Sequence, residues 1–142
     1  MAVVVDSNLI VVLVNRDPRR PIVQRQLDEW EEQGIEIHAP VLAYYEIANA
    51  LTQLIAAGVF SQERLPQAWT SINKVPITYH LFSGGTRVVE IALSLGRRSA
   101  YDAAYLALAE TLNAELWTLD GPLYRNAVGR GFPVRLLGAS EA

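Results

Sequence analysis

Short β-branched apolar runs alternate with longer stretches of helical periodicity along this chain, and few folds can satisfy that alternation. The strand-like runs are Ala2–Val5, Glu36–Ala39, Ile77–Tyr79, Glu115–Leu119 and Val134–Leu137. Helices are predicted from about Asn8, over Pro21 to Gln33, over Pro40 to Ala57, from Ser61 to near Pro76, over Thr86–Leu95, over Ser99–Asn113 and over Leu123–Val128. In the third of these, Val41, Tyr44, Ala48, Leu51 and Ile55 keep helical spacing, and Pro40 suits a first turn. Gly34, Gly58 and Gly96 stand where three helices should stop. Strands that read apolar throughout, each followed by a helix, are expected in a mostly parallel sheet covered on both faces, a three-layer α/β/α sandwich.

No Gly/Ser linker, charge run or internal repeat divides the 142 residues, so residues 1–142 are expected to form a single domain. The chain holds no cysteine, which excludes disulfide frameworks, thiolate zinc sites and thiol nucleophiles. Met1–Val5 lacks the basic start and length of a signal peptide, and Leu9–Val14 is too short to cross a bilayer, so a cytoplasmic protein is expected. The net charge of −3 does not draw polyanions from a distance, although it leaves room for an acidic pocket that holds cations. Lys74 is the one lysine, so phosphate contacts would fall to arginine, with Arg16, Arg19 and Arg20 in one cluster and Arg97 and Arg98 in another. Either cluster could equally be a solvated loop.

The chemistry-bearing residues are acids. In sheets of this kind the working groups lie beyond the carboxyl ends of the strands. Asp6 ends the first strand and Asp120 the fourth, while Glu46 and Asp102 sit in unusually apolar helices. Each has a plain alternative. Asp6 and Asp120 could cap the helices that follow them. Asp102 stands three residues after Ser99, the spacing of a capping box. Glu46 shares a polar stripe with Asn49 and Gln53. Together the plain readings weaken, because three of the four positions converge at one edge of a doubly wound sheet. Crowded carboxylates raise one another's pKa unless a cation intervenes, and carboxylate plus water is the ligand set of Mg²⁺ or Mn²⁺. The constellation reads as a metal site.

Val4-Val5-Asp6-Ser7-Asn8, Glu46 in an Ile-Ala-Asn-Ala-Leu helix, the run Ser99-Ala100-Tyr101-Asp102-Ala103-Ala104, and Thr118-Leu119-Asp120 resemble the PIN-domain family, especially its VapC-like toxins. The resemblance implies hydrolysis of RNA phosphodiester bonds with one or two Mg²⁺ or Mn²⁺ ions. It makes Asp6, Glu46, Asp102 and Asp120 the four acidic positions, with Asp6 and Asp102 as direct ligands and Glu46 and Asp120 on bound waters or a second ion. Asn8 and Thr118 match accessory polar positions that orient a ligand or a water. The same resemblance implies an antitoxin partner that lays a segment across the acids, and a homodimer for which Ile55–Phe60 and Leu65–Trp69 offer apolar residues.

Two other readings stay open. One is a PIN fold that binds RNA or a protein without cutting it. The other is a phosphoacceptor domain, but Asn8 stands where the Asp-x-Asp phosphatases place their second acid, and Lys74 lies in mid-chain. His38 and His80 lack acidic or histidine neighbours at ligand spacing and are expected to be structural or exposed. Ser83-Gly84-Gly85-Thr86 lacks the lysine of a phosphate loop and reads as a turn. Trp30, Trp69 and Trp117 are expected in the core or an interface.

Overall fold

The computed structural model describes residues 1–81, 84–97 and 99–138. Its strands are β1 (Ala2–Val5), β2 (Glu36–Pro40), β3 (Ile77–His80), β4 (Glu115–Thr118) and β5 (Val134–Leu136). They form one parallel sheet in the order β3-β2-β1-β4-β5. The α-helices are α1 (Ser7–Val14), α2 (Arg20–Glu32), α3 (Leu42–Ala56), α4 (Leu65–Lys74), α5 (Gly85–Ser94), α6 (Tyr101–Leu112) and α7 (Gly121–Val128). The chain builds outward from β1 to β3, returns across the sheet to β4 and ends at β5. Right-handed crossovers therefore put α1–α4 on one face and α5–α7 on the other. The expected three-layer α/β sandwich is what forms, with its sheet wholly parallel.

Two apolar clusters hold the layers. The larger joins Val3, Val4 and Val5 to Leu106, Leu108 and Leu116, so the central strands are apolar on both faces. The smaller packs α1, α3 and α4 together through Ile10, Ile47, Leu51, Phe60 and Ile72, with Ile55, Leu65 and Trp69 against it. Of the Ile55–Phe60 and Leu65–Trp69 segments, Ile55, Phe60, Leu65, Ala68 and Trp69 thus pack into their own fold. Val59 is the large apolar residue there that remains exposed, at 63%, beside exposed Ala56 and Ala57. Trp30 meets Trp117 edge to face at 5.2 Å, and Trp69 lies against Tyr44 at 4.9 Å, as expected for core residues.

Some boundaries moved. Pro40 ends β2 rather than opening α3, because Pro40 pairs in register with His80 and the Val41 N–H donates to the His80 carbonyl. The predicted Ser61 cap makes no side-chain bond, and a short 3₁₀ turn over Gln62–Arg64 leads into α4 instead. Gly84 caps α5 and Gly85 opens it, while Ser83 of the expected turn lies outside the described residues. The histidines do have neighbours: His38 Nδ1 and His80 Nε2 share a hydrogen bond of 2.7 Å, and Glu36 Oε1 lies 3.3 Å from His38 Nε2. Parallel pairing of β2 and β3 brings together residues 42 positions apart, a contact that spacing along the chain does not reveal. Among the described residues, no helix is long and apolar enough to cross a membrane.

Candidate active site

The strand order reverses direction at β1, with β2 on one side and β4 on the other. A crevice opens at such a switch point beyond the carboxyl ends of the strands. Asp6 and Thr118 stand there, at the ends of β1 and β4. Buried Asp6 stands at the N-cap position of α1, but its carboxylate makes no capping hydrogen bond there. The carboxylate is held instead by its surroundings. The Thr118 hydroxyl donates to Oδ2 at 2.8 Å, Asn8 Nδ2 donates to the same oxygen at 3.3 Å, and Ser7 Oγ approaches Oδ1 at 3.4 Å.

Thr118 is fully buried, and its hydroxyl uses its whole capacity: one donation to Asp6, and acceptance from Asn8 Nδ2 and the Asp120 N–H. Asn8 Oδ1 accepts from the Leu119 N–H and so ties α1 to the end of β4. Both accessory residues therefore serve Asp6 directly.

Glu46 reaches the site from α3 and Tyr105 from α6, on opposite faces of the sheet. Tyr105 Oη donates to Glu46 Oε1 at 2.5 Å. Asp102 lies in the first turn of α6, where a negative charge suits the helix dipole. Its predicted capping box does not form. The helix starts at Tyr101 with Ala100 at the cap, and Ser99 Oγ accepts only a long 3.4 Å bond from the Tyr101 N–H. Asp120 does act as a cap, accepting from the Leu123 N–H at 3.0 Å through Oδ1.

Electrostatics links the four acids. Burial pushes Asp6 up from 3.8 to about 7; the Thr118 hydroxyl opposes this, and the charges of Glu46 and Asp102 add to it. Glu46 is raised by burial, with Tyr105 opposing and Asp102 adding. Asp102 is raised by burial, lowered by Arg97 and raised again by Asp120. Asp6, Glu46 and Asp102 thus feel one another, and Asp120 joins through Asp102. Among the described residues, no three acidic or histidine side chains are grouped as a ready-made metal cage. The donors are all hard oxygens, which suits Mg²⁺ or Mn²⁺, ions that keep several waters and need only one or two protein carboxylates. By donor chemistry and by the unfavourable crowding of charge, the residues fit such an ion.

The sequence profile of the PIN domain matches residues 3–129. This chain belongs to the PIN-domain family. The PIN domain is 30% identical over 130 residues to Ribonuclease VapC3 of Pyrobaculum aerophilum, across 87% of this chain and 92% of that protein. It is 33% identical over 125 residues to Ribonuclease VapC9 of Mycobacterium tuberculosis, across 84% and 86%. Among solved structures, VapBC2 from Rickettsia felis, bound to a DNA fragment from their promoter, matches with a TM-score of 0.70 over 96% of this chain and 99% of that chain. At 15% identity that likeness is one of fold.

Two members of the PIN domain's site escaped the sequence reading. Tyr105 was given no role there, although it lies about one turn after Asp102 on the same apolar helix. Ser7 was quoted only as part of the first motif, and its hydroxyl adjoins Asp6, Glu46 and Tyr105. Of the arginines, Arg97 is near enough to act on Asp102, Arg19 is engaged by Asp17 at 2.9 Å, and Arg98 lies outside the described residues.

Proposed function

We propose that this PIN domain is a metal-dependent endoribonuclease, the toxin of a type II toxin–antitoxin pair. The observation that carries the reading is Asp6, a buried carboxylate raised to about 7 by burial and by the charges of Glu46 and Asp102, with no cationic side chain bonded to it among the described residues. A purely structural carboxylate so placed would be costly. The VapC ribonuclease names of relatives that span nearly the whole chain support the same conclusion.

In this reading Asp6 and Asp102 hold a Mg²⁺ or Mn²⁺ ion, and Glu46 and Asp120 hold waters or a second ion. The bound ion would supply a water acidic enough to attack near neutral pH and would offset charge on the phosphate. The protein's own part is placement. Thr118 and Asn8 fix the rotamer of Asp6, and Tyr105 fixes Glu46. Arg97 sits where it can contact a phosphate entering beside Asp102.

Incubating the purified chain with single-stranded RNA in Mg²⁺, in Mn²⁺ or in EDTA tests this. Internal cuts with either ion and none in EDTA are expected. Folded protein that leaves RNA whole in both ions would remove the catalytic reading.

An antitoxin is the partner this reading calls for, its segment crossing the acids and offering a cation to them. Pairing of two copies through the Val59 end of α3 completes the assembly. A dimeric mass in light scattering at tens of micromolar is expected, and a monomeric mass would exclude that pairing.

A further inference from the structure

Of the arginines that follow α1, Arg19 is held by Asp17, whereas Arg20 lines a surface groove of about 120 Å³. Arg64, from the start of α4, lines the same groove. Its guanidinium lies over the Phe60 ring, 5.1 Å from the centroid, which fixes where that charge sits. Gln67 and Ser71 add polar side chains, and no acid among the described residues lines the groove. Glu63 stands exposed beside Arg64 in the chain but is not part of the lining.

Both arginines stand where a helix begins, Arg20 as the first residue of α2 and Arg64 as the cap of α4, and neither first turn holds an acid. The helix dipole makes that end positive, so a cation there is disfavoured. Two guanidiniums on one small groove add their own repulsion. Among the described residues neither has an ion pair to offset it. An anion in the groove removes the conflict.

The groove has a defined place relative to the acids. Leu13 and Val14 form part of its wall at the end of α1, and Ser7, at the start of the same helix, adjoins Asp6. The length of α1 puts the two about 10 Å apart. That is within reach of the next few phosphates of a strand whose cut phosphate lies at the acids. On the other side, Ser71 also lines a second groove between α2 and α4, where Asp28, Glu31 and Glu36 outnumber Lys74. A polyanion is turned back there, so the arginine end is where its charge is accepted.

We propose that Arg20 and Arg64 form a phosphate-binding subsite that holds the RNA backbone a few nucleotides from the cut. Guanidinium forks match the paired oxygens of a phosphodiester. A contact of this kind positions a strand without reading its sequence. The proposal rests on the ribonuclease reading and names the part of the substrate held outside the acids.

The test uses the full chain and a labelled single-stranded ribooligonucleotide, with binding read by anisotropy in an Asp6→Asn background that keeps the strand whole. Both arginine side chains are exposed, so their variants should melt with wild type. Arg20→Gln and Arg64→Gln should each raise Kd about tenfold. Together they should flatten the dependence of log Kd on log salt by about 0.7, the share of one single-strand phosphate. In the chain that retains Asp6, the same changes should raise KM and hold kcat within about threefold. Uncharged methylphosphonate linkages, placed one at a time along the strand, should reveal a position away from the cut at which wild type and the double variant bind alike. An unchanged Kd and salt slope in the double variant would overturn the subsite, as would the lack of any such linkage. So would variants that bind RNA normally but lose binding of a polyglutamate peptide, which would assign the groove to an acidic protein partner. A chain that binds RNA through the groove and never cuts it would sink the ribonuclease reading while the subsite stands. A chain that neither binds nor cuts ends both.

Discussion

Thr118 and Asp6 are 112 positions apart in the chain, and the Thr118 hydroxyl donates to Asp6 Oδ2 at 2.8 Å. The bond spans the ends of two adjacent parallel strands, and Thr118 lies in register beyond the Val5–Trp117 pair. It holds one oxygen of a buried carboxylate while that group's charge is still uncompensated. Replacing Thr118 with Val keeps the shape and removes the hydroxyl. Three hydrogen bonds go with it, from Asn8, from the Asp120 N–H and to Asp6. We expect Thr118→Val to lose about 1–3 kcal/mol in urea unfolding and to lower RNA cleavage while the fold survives. Unchanged stability and turnover would show that Asp6 needs no such anchor.

Asp6 gives the metal-free protein a characteristic pH dependence. Its folded pKa of about 7 exceeds its ordinary 3.8, so the fold favours the neutral form. The stability this group contributes is fully present below about 3.8 and is lost as pH rises through about 7. Glu46 and Asp102 are raised as well and act in the same direction. Asp6→Asn should therefore stabilise the metal-free chain at pH 8, by an amount on the order of a few kcal/mol, and much less at pH 5. A Mg²⁺ ion would bind the ionised site, so its increase in Tm should be full at pH 8, small at pH 5.5 and absent in Asp6→Asn/Asp102→Asn. Equal Mg²⁺ responses in wild type and double variant would dismiss the pocket.

Asp102 is not a capping-box partner, since Ser99 does not cap α6. Ser99→Ala should accordingly change stability by less than about 0.5 kcal/mol and leave cleavage intact. Asp102→Asn, nearly isosteric, should keep or raise metal-free stability while cleavage falls by orders of magnitude. Thermal melts and single-turnover cleavage of both variants decide the matter. A destabilised but fully active Asp102→Asn protein would return the residue to a structural role.

Asp120 joins two tasks that substitutions can separate. Its Oδ1 caps α7 at the Leu123 N–H, and its charge reaches Asp102. Asparagine caps as well as aspartate, whereas alanine costs about 1 kcal/mol. Asp120→Asn should hold its stability and lose cleavage, and Asp120→Ala should lose both. Full activity in Asp120→Asn would leave the residue as a cap alone.

The order of strands and helices was legible in the residues themselves, because a buried parallel strand and an amphipathic helix each impose a local period. The four acids stood out as candidates too, since an ionisable group at a strand end or inside an apolar helix is a local anomaly. Boundaries set by distant partners were not. Pro40 became strand because β3 lies beside it, and Ser99 lost its cap because α6 starts two residues later. The roles of Tyr105 and Ser7, the His38–His80 contact and the use of Thr118 as an anchor arise from pairing between segments tens of residues apart. Local chemistry chose which residues could work. Only the closing of the sheet decided which of them would touch, because hydrogen bonds and burial act over a few ångströms in space whatever their separation along the chain.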